Sequence, residues 1–208
     1  MALREDYPGW SLAKDKNMKK RLWLCCGVLK NEMEFLKINA RIAGDLVFFD
    51  SMLHMQPENL EAVLGQAIHK FKGDYQEIVI IYGDCCPLMY LMEKENGVAR
   101  PGFVNCAQML VGREAYRKFM KQQSYLILPE WLPRWREVFS VELGLNRQVA
   151  TCMMQENRSE LVYLDTGLVE VQIKQLIEWS EYVGLPYRIE KIDLSVFANN
   201  LNSLFENG

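Results

Sequence analysis

Four side chains in this sequence carry chemistry that could be pooled: Cys26, Cys85 and Cys106, with His54 as a fourth member. Three thiolates and one imidazole form a tetrahedral donor set suited to Zn²⁺ or to an iron–sulfur cluster. They do not sit in a local Cys-x-x-Cys pattern. Donors drawn from four separate segments need the fold first, which fits a functional site better than a folding staple. Gly27 and Gly83 stand beside two of the thiols. They are read as cofactor-binding positions, because backbone without a Cβ can approach a ligand closely. Arg113 and Tyr116 follow Cys106 at a helix start and are further candidates to face the ligand.

The chain has six cysteines. Taken singly, each is also a good small core residue. Cys152, inside an expected helix, is read as such filler, and Cys25 and Cys86 are left as spares or packing. His69 is read as a surface residue. Two other functions use the same residues. One is a metal-free thiol enzyme with Cys85 or Cys26 as nucleophile, which needs one thiol of lowered pKa. The other is a non-catalytic binding module whose cysteines are simply packed.

Elements must bring these residues together. Short apolar runs predict strands over residues 22–26, 46–49, 78–82, 103–104, 125–128, 161–164 and 187–189. Helical periodicity predicts helices over 31–42, 60–71, 107–122, 131–144, 146–157, 169–183 and 194–205. Strands alternating with helices imply βαβ units, so the fold class is α/β with a mainly parallel sheet and flanking helices. In open parallel sheets ligands bind at the carboxyl ends of the strands. Cys26, Cys85 and Cys106 each lie at the carboxyl end of a predicted strand, and the loop holding His54 opens on the same crevice. Segment 129–135, Pro-Glu-Trp-Leu-Pro-Arg-Trp, is either an aromatic lid on that crevice or core packing. Asp165-Thr166-Gly167 is read as a helix N-cap turn.

The 208 residues are half hydrophobic and one quarter charged, with a net charge of −3. That is ordinary globular composition. Residues 1–20 read as a loose lead-in and 21–208 as one domain, with a candidate lobe boundary near 144–160. Without a basic excess, no nucleic-acid partner is expected. With no run of about 18 apolar residues, no membrane partner is expected either. The N-terminus lacks the apolar stretch of a secretory signal, so a cytoplasmic location with reduced thiols is expected.

In order along the chain stand Cys26-Gly27 with Glu32, Leu53-His54 with Pro57, and Tyr82-Gly83-x-Cys85. They are followed by Cys106 with Gly112 and Tyr116, by the segment from Tyr125 to Trp131, and by Tyr163-Leu164-Asp165-Thr166-Gly167. This set, covering about residues 22–195, resembles a family of uncharacterised proteins of anaerobic bacteria and archaea (domain of unknown function one-six-three-eight). Its members are often encoded beside corrinoid-dependent methyltransferases. The resemblance implies Cys26, His54, Cys85 and Cys106 as the metal or cluster site. It also implies a role in one-carbon or corrinoid methyl-transfer metabolism, with a corrinoid protein or methyltransferase as partner. The chain departs from the family pattern at Asn105, where an acidic residue is usual, and at Cys86, where glycine is typical. A further strand usual in the family is expected to be missing after Phe205.

Overall fold

The run Arg21–Cys26 forms strand β1, whose residues from Leu22 to Cys26 are all buried. A strand apolar on both faces belongs in the middle of a parallel sheet. β1 pairs in parallel with β2 (Asp45–Phe49) on one side and with β3 (Glu77–Ile81) on the other. The order β2-β1-β3 means the chain first crosses to one side of β1 and then to the other. The connections run through α1 (Lys30–Ile38) and α2 (Pro57–Phe71). The computed structural model describes residues 21–86 and 89–205. The expected lead-in over 1–20 lies outside them.

A second parallel sheet has the order β4-β5-β6, with β4 Ser124–Ile127, β5 Glu160–Asp165 and β6 Tyr187–Lys191. The fold is therefore α/β with two three-stranded parallel sheets, where the sequence reading had one. The change of sheet falls between β3 and β4, ahead of residues 144–160. β5 joins the two halves. Leu161 and Tyr163 enter one core cluster, while Val162 and Leu164 enter the other. Alternation along a strand sends successive side chains to opposite faces, so β5 is a wall common to both cores. On one side it meets Leu194, Phe197 and Leu201 of α8 (Leu194–Asn202) in the larger cluster. On the other it meets Trp179 of α7 (Ile173–Val183) and Met154 of α6 (Arg147–Asn157).

Three expected elements differ and one unexpected helix forms. The strand over 103–104 does not form. Ala99 instead makes a single parallel bridge to Val79, and Pro101, which has no N–H, follows too closely for a longer ladder. The helix over 107–122 is two helices, α4 (Cys106–Val111) and α5 (Arg113–Lys121). Gly112 separates them at φ +82°, a conformation that glycine reaches without strain. The helix over 131–144 is a 3₁₀ turn, Leu132–Arg134, followed by a π-helical turn, Glu137–Glu142. Helix α3 (Met89–Asn96) forms where none was expected, on a segment with little apolar periodicity.

Candidate functional site

The carboxyl end of β1 delivers Cys26, and Gly27 follows at once. A Cβ on Gly27 would lie 2.7 Å from the Phe49 carbonyl oxygen. Glycine is required here because the end of β2 presses on the chain. After β2, the Asp50 carboxylate accepts from the Met52 N–H and caps a 3₁₀ turn, Ser51–Met55. That turn carries His54, which is exposed and set edge-on to the Trp131 ring with centroids 6.0 Å apart.

Beyond β3 the chain turns through Gly83 to Cys85. A Cβ on Gly83 would come within 2.3 Å of the Asn105 Cα. The Asp84 N–H donates to the Val104 carbonyl at 3.0 Å. Arg100 holds the same loop through Asp84 at 2.7 Å and reaches Glu93 at 3.5 Å. Asn105 caps α4, accepting from the Gln108 N–H, and donates from Nδ2 to the Tyr116 hydroxyl at 2.7 Å. These contacts bring the Cys85 loop against the start of α4, where Cys106 is the first residue.

The result is a cavity of about 250 Å³. Cys26, His54, Cys85 and Cys106 all line it, as does Tyr116. Gly27, Gly83 and Arg113 are not among its lining residues. The two glycines instead allow backbone to pack on backbone beneath the thiols. Arg113 donates to the Gly102 carbonyl at 2.7 Å and lies 4.9 Å over the Phe103 ring. Of the spare cysteines, Cys25 and Cys86 are buried. Cys152 is exposed on α6 and is not the core filler that its helical position predicts. The aromatic segment divides: Trp131 lines the cavity, while Trp135 is buried and stacked on Trp179 at 5.9 Å. His69 is exposed on α2.

The thiols interact with one another. Cys106 is hydrogen-bonded to Cys26, and this bond, then burial, pushes the Cys106 pKa well up. Burial and then the Cys26 charge push the Cys85 thiol up to about 12. The Gly83 backbone N–H acts in the opposite sense on both Cys85 and Cys106, favouring their thiolates. Although His54 keeps an exposed face, partial desolvation of its ring lowers its pKa. Among the described residues, no group of three His, Cys, Asp or Glu side chains is arranged so that it could hold a single metal ion.

Sequence reasoning passed over Tyr82, Ser51, Glu130 and Arg158 as site residues. The Tyr82 hydroxyl is buried without a hydrogen-bond partner among the described residues. Burial and the charges of Cys26, Cys106, Cys25 and Cys85, in that order, drive its pKa well up, which puts the phenol among the thiols. Its place one residue before Gly83 was the only signal available. Buried Ser51 lines the cavity and donates to Glu130 Oε1 at 3.0 Å. Glu130 is also paired with Arg134 at 2.9 Å. Asp165-Thr166-Gly167 is a turn, with the Gly167 N–H donating to Asp165 Oδ1, but it caps no helix. Thr166 instead donates to buried Glu32 of α1 at 3.0 Å.

The family described as Protein of unknown function (DUF1638) matches residues 48–201. The chain belongs to this family. The DUF1638 match takes in His54, Cys85, Cys106, Tyr116 and Thr166, and Cys26 stands ahead of it. No curated protein and no solved structure matches the chain.

Proposed function

We propose that this DUF1638 protein uses the cavity as a thiolate-ligated iron–sulfur site, with Cys26, Cys85 and Cys106 as ligands and His54 as the fourth donor at the rim. The observation that carries the reading is the convergence of these four side chains, from four separate segments, on one cavity. The Gly83 N–H turned toward two of the sulfurs supports it, since backbone donors to sulfur tune such centres. A lone Zn²⁺ needs its sulfurs about 2.3 Å from one point. Among the described residues no three donors meet that requirement. A cluster takes its thiolates on separate irons, so a spaced donor set around a roomy cavity suits it better. Such a group would supply one-electron transfer.

The chain's own part is to hold the thiols in a protected pocket and to set their protonation. Raised thiol pKa values fall when a cation replaces a neighbouring thiolate as the nearest charge. A metal-free nucleophile at Cys85 is the weaker reading, because a thiol pushed up to about 12 is almost wholly protonated near neutral pH. The family resemblance directs the centre toward one-carbon or corrinoid methyl-transfer metabolism, with a corrinoid protein or methyltransferase as the partner.

The test is anaerobic reconstitution of the full chain with iron and sulfide. A broad visible sulfur-to-iron absorption band is expected, with bound iron and acid-labile sulfide. Cys26→Ser, Cys85→Ser and Cys106→Ser should each remove most of both, while Cys152→Ser should change neither. A colourless protein that takes up only zinc would overturn the cluster. Free thiols throughout, with no metal retained, would overturn the site itself.

A further inference from the structure

The thiols occupy only part of the cavity. Five consecutive residues, 124–128, also line it. Successive side chains of a strand point to opposite faces, so consecutive lining residues mean that the cavity runs along the strand's edge. β4 has such an edge, because among the described residues it pairs with β5 alone. The four residues of β4 span about 13 Å. Away from the thiols the lining is aromatic and apolar, with Tyr125, Trp131, Trp179 and Met120.

Arg158 also lines the cavity and is half-buried. Among the described residues its side chain forms no ion pair; Nη1 makes only a long 3.5 Å bond to the Asn157 carbonyl. Tyr125 lines the same cavity, and the Arg158 charge lowers its pKa against the larger effect of burial. Trp179, 1 % exposed, has an indole N–H without an acceptor among the described residues. A cation without a counter-charge and a buried donor without an acceptor call for the same thing, an anionic acceptor.

From this we infer that the cavity binds a small organic acid, its carboxylate on Arg158 and its apolar body along the open edge of β4. Its far end reaches the thiols, and that last point rests on the function proposed above. The size agrees: at about 30 Å³ per water the cavity has room for about eight water-sized groups.

The experiment uses 3-phenylpropionate and its uncharged amide as probes, with binding followed by tryptophan fluorescence, since Trp131 and Trp179 line the cavity. It is run on the protein before and after reconstitution. The acid is expected to bind about ten-fold tighter than the amide, the discrimination one charge-assisted contact supplies. Arg158→Gln should abolish the preference and Arg158→Lys should keep most of it, which separates lost charge from lost fold. Equal binding of acid and amide, binding of neither, or a preference that survives in Arg158→Gln would overturn the inference. An acid preference that depends on Arg158 in protein that never takes up iron would uphold the carboxylate site and overturn the cluster. Quenching of the visible cluster band by bound acid supports the reach to the thiols, and an unaltered band with acid bound overturns that part.

Discussion

Three thiols line one cavity, and the groups around them set their protonation. Cys85 and Cys106 are held protonated by burial and by Cys26. Without a metal, both should therefore alkylate slowly near neutral pH, more slowly than exposed Cys152. Mass spectrometry of timed iodoacetamide labelling checks this; a cavity thiol that labels first would restore the nucleophile reading. Tyr82 offers a second test. A buried hydroxyl without a partner costs roughly 1–3 kcal/mol. Tyr82→Phe removes it without changing the ring, so the apo protein should be as stable as the parent or somewhat more so. A loss above about 1 kcal/mol in chemical denaturation would mean that the phenol has a partner in solution.

At the scale of elements, the site depends on loops pressed together where side chains would interfere. The Cys85 loop lies on Asn105 so closely that a Cβ at Gly83 has no room. Gly83→Ala is expected to cost about 1–3 kcal/mol by overpacking, and to lower iron uptake because Cys85 is displaced. Calorimetry and iron analysis read the two effects. If both match the parent, the loop does not need this contact. The same crowding explains what the sequence concealed here. A glycine beside a thiol reads equally well as a ligand-binding or a backbone-packing position, and the opposing segment decides between them. Gly112 is similar: the apolar pattern over 107–122 continues through it, and only its positive φ shows that two helices meet there.

At the scale of the molecule, the two sheets are tied by a polar contact as well as by β5. Glu32, 1 % exposed, follows β1, and Thr166 follows β5. Their 3.0 Å hydrogen bond links residues 134 positions apart. Thr166→Val should cost about 1–3 kcal/mol, since it strips a buried carboxyl of a partner. Burial raises the Glu32 pKa above its ordinary value, against the opposing hydrogen bonds from its own N–H and Thr166. A folded carboxyl with a raised pKa binds more protons than the unfolded one, so its contribution falls as pH rises through the ordinary carboxylate range and levels off above the folded pKa. Glu32→Gln can still accept from Thr166 and cannot ionise. Its stability relative to the parent should therefore improve from pH 4 toward pH 7. A melting-temperature difference that does not change across that range would show that Glu32 is not perturbed.

Much of this was legible beforehand. Parallel strands buried on both faces need unbroken apolar runs, so β1, β3 and β5 stood out, and with them the α/β class. Thiols placed just after strands pointed to the carboxyl ends, and Cys26, His54, Cys85 and Cys106 do share a cavity. The division into two sheets was not legible, because an apolar run does not name its neighbour. Neither was the failure of residues 103–104 to pair, which follows from Pro101. Trp131 and Trp135 belong to one aromatic run, yet one lines the cavity and the other packs in the core. Residue types and their spacing determined the α/β class and which donor groups the chain offers. Tertiary packing decided which groups share a cavity, since burial, an Arg158 without an ion pair among the described residues and a strand edge open there arise only when distant segments meet.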